Sequence, residues 1–130
     1  QSHALIPSMD RYTESVVRAI RLAMTDNPRN HKIVAFFPTA RMAGFFAEVF
    51  NNGMGIPAIE LHSKKGQGYR NRASGAFRKA ERGVLLTSDV SARGIDYPDV
   101  THVIQIGAPD SREQYIHRLG RTGRAGSKGR

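Results

Sequence analysis

The sequence predicts an α/β fold, a mostly parallel sheet covered by helices on both faces. Three observations lead there. Short apolar runs rich in β-branched residues alternate with stretches whose apolar residues recur at helical spacing. The first of these runs, residues 32–37, is a short continuous apolar run rather than apolar at every second position, the pattern of a strand buried on both sides. Finally, Thr39, His62, Thr87 with Asp89, and Gly107 each close or follow one run. In a parallel sheet they gather at the carboxyl ends of the strands, where such sheets bind ligands.

Taken in order, residues 1–9 form an extended lead-in, with Ile6 held extended by Pro7. Asp10 caps a helix whose inner face is Val16, Val17, Ile20, Ala23 and Met24, with Arg11, Glu14, Arg18 and Arg21 mostly opposite. A turn over 26–30 leads to the first strand, residues 32–37 (Lys-Ile-Val-Ala-Phe-Phe), which Pro38 ends. Thr39 caps the next helix, with Met42, Phe45, Phe46, Val49 and Phe50 as its apolar stripe and Asn52-Gly53 as its stop. Residues 58–62 are the second strand, followed by a basic loop. A helix over 67–80 turns Ala73, Ala76, Phe77 and Ala80 inward and breaks at Gly83. Residues 84–88 and 102–106 are the third and fourth strands. Ser111 and Gln114 form a capping box that opens a last helix through Tyr115, Ile116 and Leu119.

The length of 130 residues suits one domain, and 39% hydrophobic residues suffice for a core at this size. The net charge of +9 favours a polyanionic partner, most simply nucleic acid. The charge is clustered: residues 62–82 hold seven of the 20 Lys and Arg against Glu81 alone, and most of the others outside the first helix fall in 112–130, opposed only by Glu113. With no cysteine there is neither a disulfide framework nor a thiolate metal site, and the five histidines lack ligand spacing. No apolar run approaches the roughly 20 residues of a membrane span. The chain begins at Gln1 and reads as a fragment.

Residues 117–124 (His-Arg-Leu-Gly-Arg-Thr-Gly-Arg) are the densest chemistry. Gly120 can stop a helix, leaving Arg121 and Arg124 on a loop from which a planar, permanent charge reaches a neighbouring phosphate. Upstream, residues 87–96 (Thr-Ser-Asp-Val-Ser-Ala-Arg-Gly-Ile-Asp) make a second ordered motif. Gly94 allows a sugar–phosphate chain to approach closely, and Arg93 supplies charge. Thr39 and Ser111 at helix starts, and Gln67 with Arg70 on one helix face, complete a surface that reads backbone rather than base edges. Asp96 suits either a ribose hydroxyl or an internal ion pair. No Gly-x-x-x-x-Gly-Lys-[Ser/Thr] loop, no acidic pair for Mg²⁺ and no Ser–His–Asp set is present. Arginine fingers without a nucleotide pocket imply a pocket on another domain.

With these motifs, the chain resembles the C-terminal RecA-like domain of the DEAD-box ATP-dependent RNA helicases of superfamily 2. Residues 34–39 are similar to motif IV, Gln67-x-x-Arg70 to motif IVa, 87–96 to motif V, 105–109 to motif Va and 115–124 to motif VI. The resemblance implies a three-layer RecA-like fold, truncated after motif VI, with residues 121–130 a mobile tail. It implies RNA-backbone contacts from Thr39, Lys64, Gln67, Arg70, Thr87, Arg93 and Gly94, and a ribose contact from Asp96. Arg121 and Arg124 become fingers on the γ-phosphate, and His117 and Arg118 lie at the interdomain cleft. ATP and Mg²⁺ belong to the full-length protein, and this domain alone binds neither. The implied partners are RNA and the N-terminal RecA-like domain of the same polypeptide, in a monomer with no membrane attachment. Closure of the two domains would bend one strand and separate a duplex locally. Ser63, Ser91, Gly66 and Tyr69 depart from the family pattern, and the Phe-Phe-Pro-Thr and Gln-Ile-Gly-Ala-Pro spellings resemble the fungal mitochondrial splicing-type members. Two other readings compete: a stand-alone RNA-binding or chaperone module, and a nucleotide-binding α/β enzyme with a degenerate loop.

Overall fold

The computed structural model describes residues 10–88, 97–109 and 114–119. Helix α1 (Arg11–Asp26) starts from Asp10, whose carboxylate accepts the Thr13 amide at 2.8 Å. That bond holds the Asp10 carboxyl below its usual range. Val16, Val17, Ile20 and Ala23 form the buried face. Strand β1 (Lys32–Phe36) is buried at every position, as its unbroken apolar run requires. Helix α2 (Ala40–Glu48) runs without a break into a π-helical turn, Val49–Gly53. Strand β2 (Ile59–Leu61), helix α3 (Gln67–Lys79), and strands β3 (Gly83–Thr87), β4 (His102–Ile106) and β5 (Gln114–Arg118) follow.

The sheet order is β2-β3-β1-β4-β5. The first four strands are parallel, with Phe36 level with Thr87 and Gln105, and Leu61 level with Thr87. Period-2 alternation divides the core into two layers. Ile33, Ala35, Val84, Leu86, Ile104 and Ile106 face α1 and α2, where the Phe37 and Phe46 rings stack at 5.1 Å. Val34, Phe36, Leu61 and Leu85 face α3, joined by Phe77 and Tyr97, whose rings meet edge to face at 5.0 Å. Helices therefore cover both faces, as expected for this RecA-like arrangement. Lys32, 1% exposed, donates from Nζ to the Arg78 carbonyl at 3.1 Å over the Phe77 ring, and burial lowers its pKa.

The expected last helix is not formed. Gln114–Arg118 is instead an antiparallel edge strand on β4, with Ile106 opposite Gln114 and His102 opposite Arg118. The physical reason lies in the partners. Without this strand the β4 edge would stay open. Gln114 spends its amide on the fold rather than on a capping box: Oε1 accepts the Gly107 amide at 2.9 Å and Nε2 donates to Ser15 Oγ at 3.3 Å. The Leu119 amide donates to the Thr101 carbonyl at 2.7 Å beyond the strand. Two smaller corrections concern faces. Phe45 is half exposed, set edge-on against Phe46, because α2 buries Ala43, Phe46 and Ala47 instead. Ala76 is exposed, since α3 turns only Ala73 and Phe77 fully inward. The lead-in over 1–9, the motif residues Asp89, Ser91, Arg93, Gly94 and Asp96, the Ser111 cap, and Arg121, Arg124 and the tail over 121–130 lie outside the described residues.

Candidate functional site

The carboxyl edge of the sheet brings together loops that are distant in the chain. After β1, the Phe37 amide donates to the Thr87 carbonyl at 2.7 Å, extending the pairing by one residue before Pro38 turns the chain. Thr39 then caps α2, its Oγ1 accepting the Met42 amide at 3.1 Å. This uses an oxygen lone pair and leaves the hydroxyl hydrogen available as a donor on an exposed residue. Thr87 stands between Phe36 and Leu61 in the register and is fully buried, so it shapes this edge from beneath.

The basic loop after β2 is organised by a histidine. His62 is buried, and its Nδ1 accepts the Lys64 amide at 3.3 Å. A backbone N–H can only donate, so the bond network assigns the ring proton to Nε2, which donates to Glu60 Oε2 at 2.7 Å. The Lys65 amide closes the turn on the His62 carbonyl at 3.1 Å. The Lys65 ammonium lies 3.7 Å from Glu60 Oε1 and 5.0 Å from the centre of the Tyr69 ring. The Glu60–His62 pair packs under α2 at Gly44, where a Cβ would stand 3.3 Å from Glu60 Oε2 and 3.6 Å from His62 Nε2. The loop thereby presents Lys64, which is exposed and makes no ion pair among the described residues.

Helix α3 starts directly from this loop. Its cap, Gly66, contributes no side-chain hydrogen bond, so the first-turn amides keep no competing side-chain acceptor. Exposed Gln67 donates to Asn71 at 2.9 Å, and half-buried Arg70 follows one turn on. Thr39, Lys64, Gln67 and Arg70 thus rise from two loops at one edge. Sequence reasoning missed Glu60, counted Lys65 only within the basic cluster, and placed His62 at the ligand-binding edge without its partners. The signal was present: Glu60 and His62 stand two apart and so share one side of the chain.

His117 and Arg118 are not brought to this edge. They pair with Val103 and His102 at the amino end of β4. There Asp26, the last residue of α1, accepts from Arg118 Nε at 2.8 Å and is joined to His102 Nε2 at 2.9 Å. Those bonds, His102 first, hold the Asp26 carboxyl below its usual range. His102 Nδ1 meets Thr101 Oγ1 at 2.8 Å. Near the carboxyl end, Tyr12 donates to the Gly107 carbonyl at 2.6 Å, with burial raising the phenol pKa. Among the described residues no group of three or more His, Cys, Asp or Glu is disposed to hold a metal.

The family model for the helicase conserved C-terminal domain matches residues 13–126. DEAD-box ATP-dependent RNA helicase 25 of Arabidopsis thaliana is 46% identical over 96% of this chain and 22% of its own length. The mitochondrial ATP-dependent RNA helicase mss116 of Aspergillus oryzae is 39% identical over 100% of this chain and 20% of its own. The chain spans about a fifth of these curated relatives. Among solved structures, Mss116p bound to single-stranded RNA and AMP-PNP superposes with a TM-score of 0.68 at 35% identity, over 92% of this chain and 25% of that one. Domain 2 of Mss116p bound to an RNA duplex gives 0.67 at 32%, over 92% and 49%.

Proposed function

The chain belongs to the helicase conserved C-terminal domain family, in its DEAD-box branch, and from that membership we propose that it works as the RNA-docking and finger-bearing half of an ATP-dependent RNA helicase. The observation that carries the reading is the carboxyl edge. Thr39, Lys64, Gln67 and Arg70 reach it from two separate loops, above a buried Thr87. A hydroxyl donor, an ammonium with no ion pair among the described residues, and helix amides without a side-chain cap suit the phosphates and sugars of an RNA strand and carry no base code. Arg93 and Gly94, which follow Thr87 in the sequence, would add to this contact. Mss116p structures with single-stranded RNA and with an RNA duplex support it by their likeness to this chain.

The ATP part of the proposal rests on residues outside the described segments. Arg121 and Arg124 would neutralise charge on the γ-phosphate, and Asp96 would accept from the ribose. ATP bound with Mg²⁺ would supply the phosphoanhydride bond whose hydrolysis would be coupled to domain closure. The chain's guanidiniums are suited to that task because they stay charged and offer forked donors. The N-terminal RecA-like domain of the same polypeptide would complete the pocket, and the closed pair would bend one RNA strand and open a duplex locally. A monomer satisfies this scheme. A mitochondrial compartment is supported only by the likeness to the mitochondrial mss116 protein.

The test is Arg124→Ala in the full polypeptide, with RNA-stimulated ATP hydrolysis and RNA binding measured together. Loss of a finger should lower turnover by on the order of 10³ and leave RNA affinity within about twofold. Weakened RNA binding with no change in turnover would instead make the chain a plain RNA-binding module.

A further inference from the structure

Helix α1 has a second, unused charge pattern. Arg11, Arg18 and Arg21 are exposed. At 3.6 residues per turn they lie within about a quarter of the helix circumference, and at 1.5 Å per residue they span roughly 15 Å. Arg11 and Arg18 flank an open groove of about 540 Å³ between α1 and β5, with Leu22 and Ile116 in its wall. Arg18, Arg21 and Leu22 flank the adjoining one. Glu14 is the only acid in either wall, and among the described residues none of the three arginines makes an ion pair. A solvated helix face of mixed charge would pair Glu14 with its neighbours at three and four residues. Glu14 falls within the same arc, so three arginines against one carboxylate leave a net positive face on a rigid element, which is what attracts a polyanion. Leu22 and Ile116 are 58% and 44% exposed, an aliphatic patch in the groove wall that the faces of unpaired bases could cover.

The track begins at the carboxyl end of the sheet, where Asp10 and Arg11 stand beside Pro109. Tyr12 bonds the Gly107 carbonyl at the end of β4, and β4 is the immediate neighbour of β1, which leads to Thr39. We propose that α1 is a second RNA track. A single strand leaving the carboxyl edge beside Gly107 passes onto Arg11 and runs down α1, its phosphates neutralised by Arg11, Arg18 and Arg21 and its bases set against Leu22 and Ile116. This rests on the carboxyl-edge reading for where the strand comes from, while the charge pattern stands without it.

The experiment uses the full polypeptide and fluorescent oligouridines of about 6 and about 16 nucleotides, with affinity measured across salt concentrations. The triple variant R11Q/R18Q/R21Q keeps α1's length and removes only exposed charge. For the longer strand its log–log salt slope should flatten by about 2, with affinity lower by on the order of tenfold at low salt. For the shorter strand nothing should change. An unchanged slope with the longer strand overturns the proposal, and so does a variant that keeps RNA affinity but loses binding to a polyglutamate peptide, which would assign the track to an acidic protein. Lys64→Gln, run in parallel, reports on the carboxyl edge separately: it should weaken both strands whether or not α1 is a track.

Discussion

Thr39 holds a helix and is offered to a ligand through one hydroxyl, and the two uses can be separated. Its oxygen caps α2, a bond whose loss costs about 1 kcal/mol. Aspartate caps as well as threonine but brings negative charge. Thr39→Asp should therefore leave thermal stability close to wild type and weaken RNA binding by on the order of tenfold, because a carboxylate now faces phosphates. Thr39→Ser should preserve both. If Thr39→Asp binds RNA normally, the hydroxyl is a cap and nothing more. His62 illustrates what one residue's identity leaves unsaid. Its position at a strand end is plain in the chain, but its Glu60 partner and its hold on the Lys64 amide depend on how β2 lies under α2.

The elements that could be read from the chain are those whose signal is local. Strands β1 and β3 are largely continuous apolar runs, β4 carries Val103, Ile104 and Ile106, and helices α1 and α2 announce themselves by a capping residue and a periodic inner face. Strand β5 could not be read, because Ser111 and Gln114 form a sound local helix signal whereas the competing structure is built from distant partners. Gln114 reaches Ser15, and Arg118 reaches Asp26, each across most of the chain. The same distance hid the Asp26–His102–Arg118 cluster, which ties the end of α1 to β4 and the edge strand β5. Its pH dependence has a definite sign. The Asp26 pKa is depressed in the folded chain, so the cluster stabilises at pH values above the ordinary carboxylate range, and that stability is lost as pH falls through the lowered folded value. Asp26→Asn should melt below wild type at neutral pH, and the gap should close in acid. A gap that persists unchanged in acid would show that the charge on Asp26 is not what holds the strands.

For the whole molecule, the parallel order of four strands converts separate sequence motifs into one surface. Thr39 after β1, Lys64 after β2 and Thr87 at the end of β3 are far apart in the chain and share an edge only because the strands run the same way. That gathering was legible, since it follows from strand order alone. The position of His117 and Arg118 was not, because an antiparallel fifth strand carries them to the opposite end. At the amino edge Asp26, His31 and Lys32 make internal contacts. His31 has its pKa lowered by burial, and Lys32 is spent on the Arg78 carbonyl. The most direct measurement is amide hydrogen exchange of the full polypeptide with and without a single-stranded oligouridine. Slowed exchange over residues 39–44 and 62–71, with the amino-edge segments 27–32 and 80–83 unchanged, is the predicted result. Protection confined to those amino-edge segments would contradict the assignment of RNA docking to the carboxyl edge.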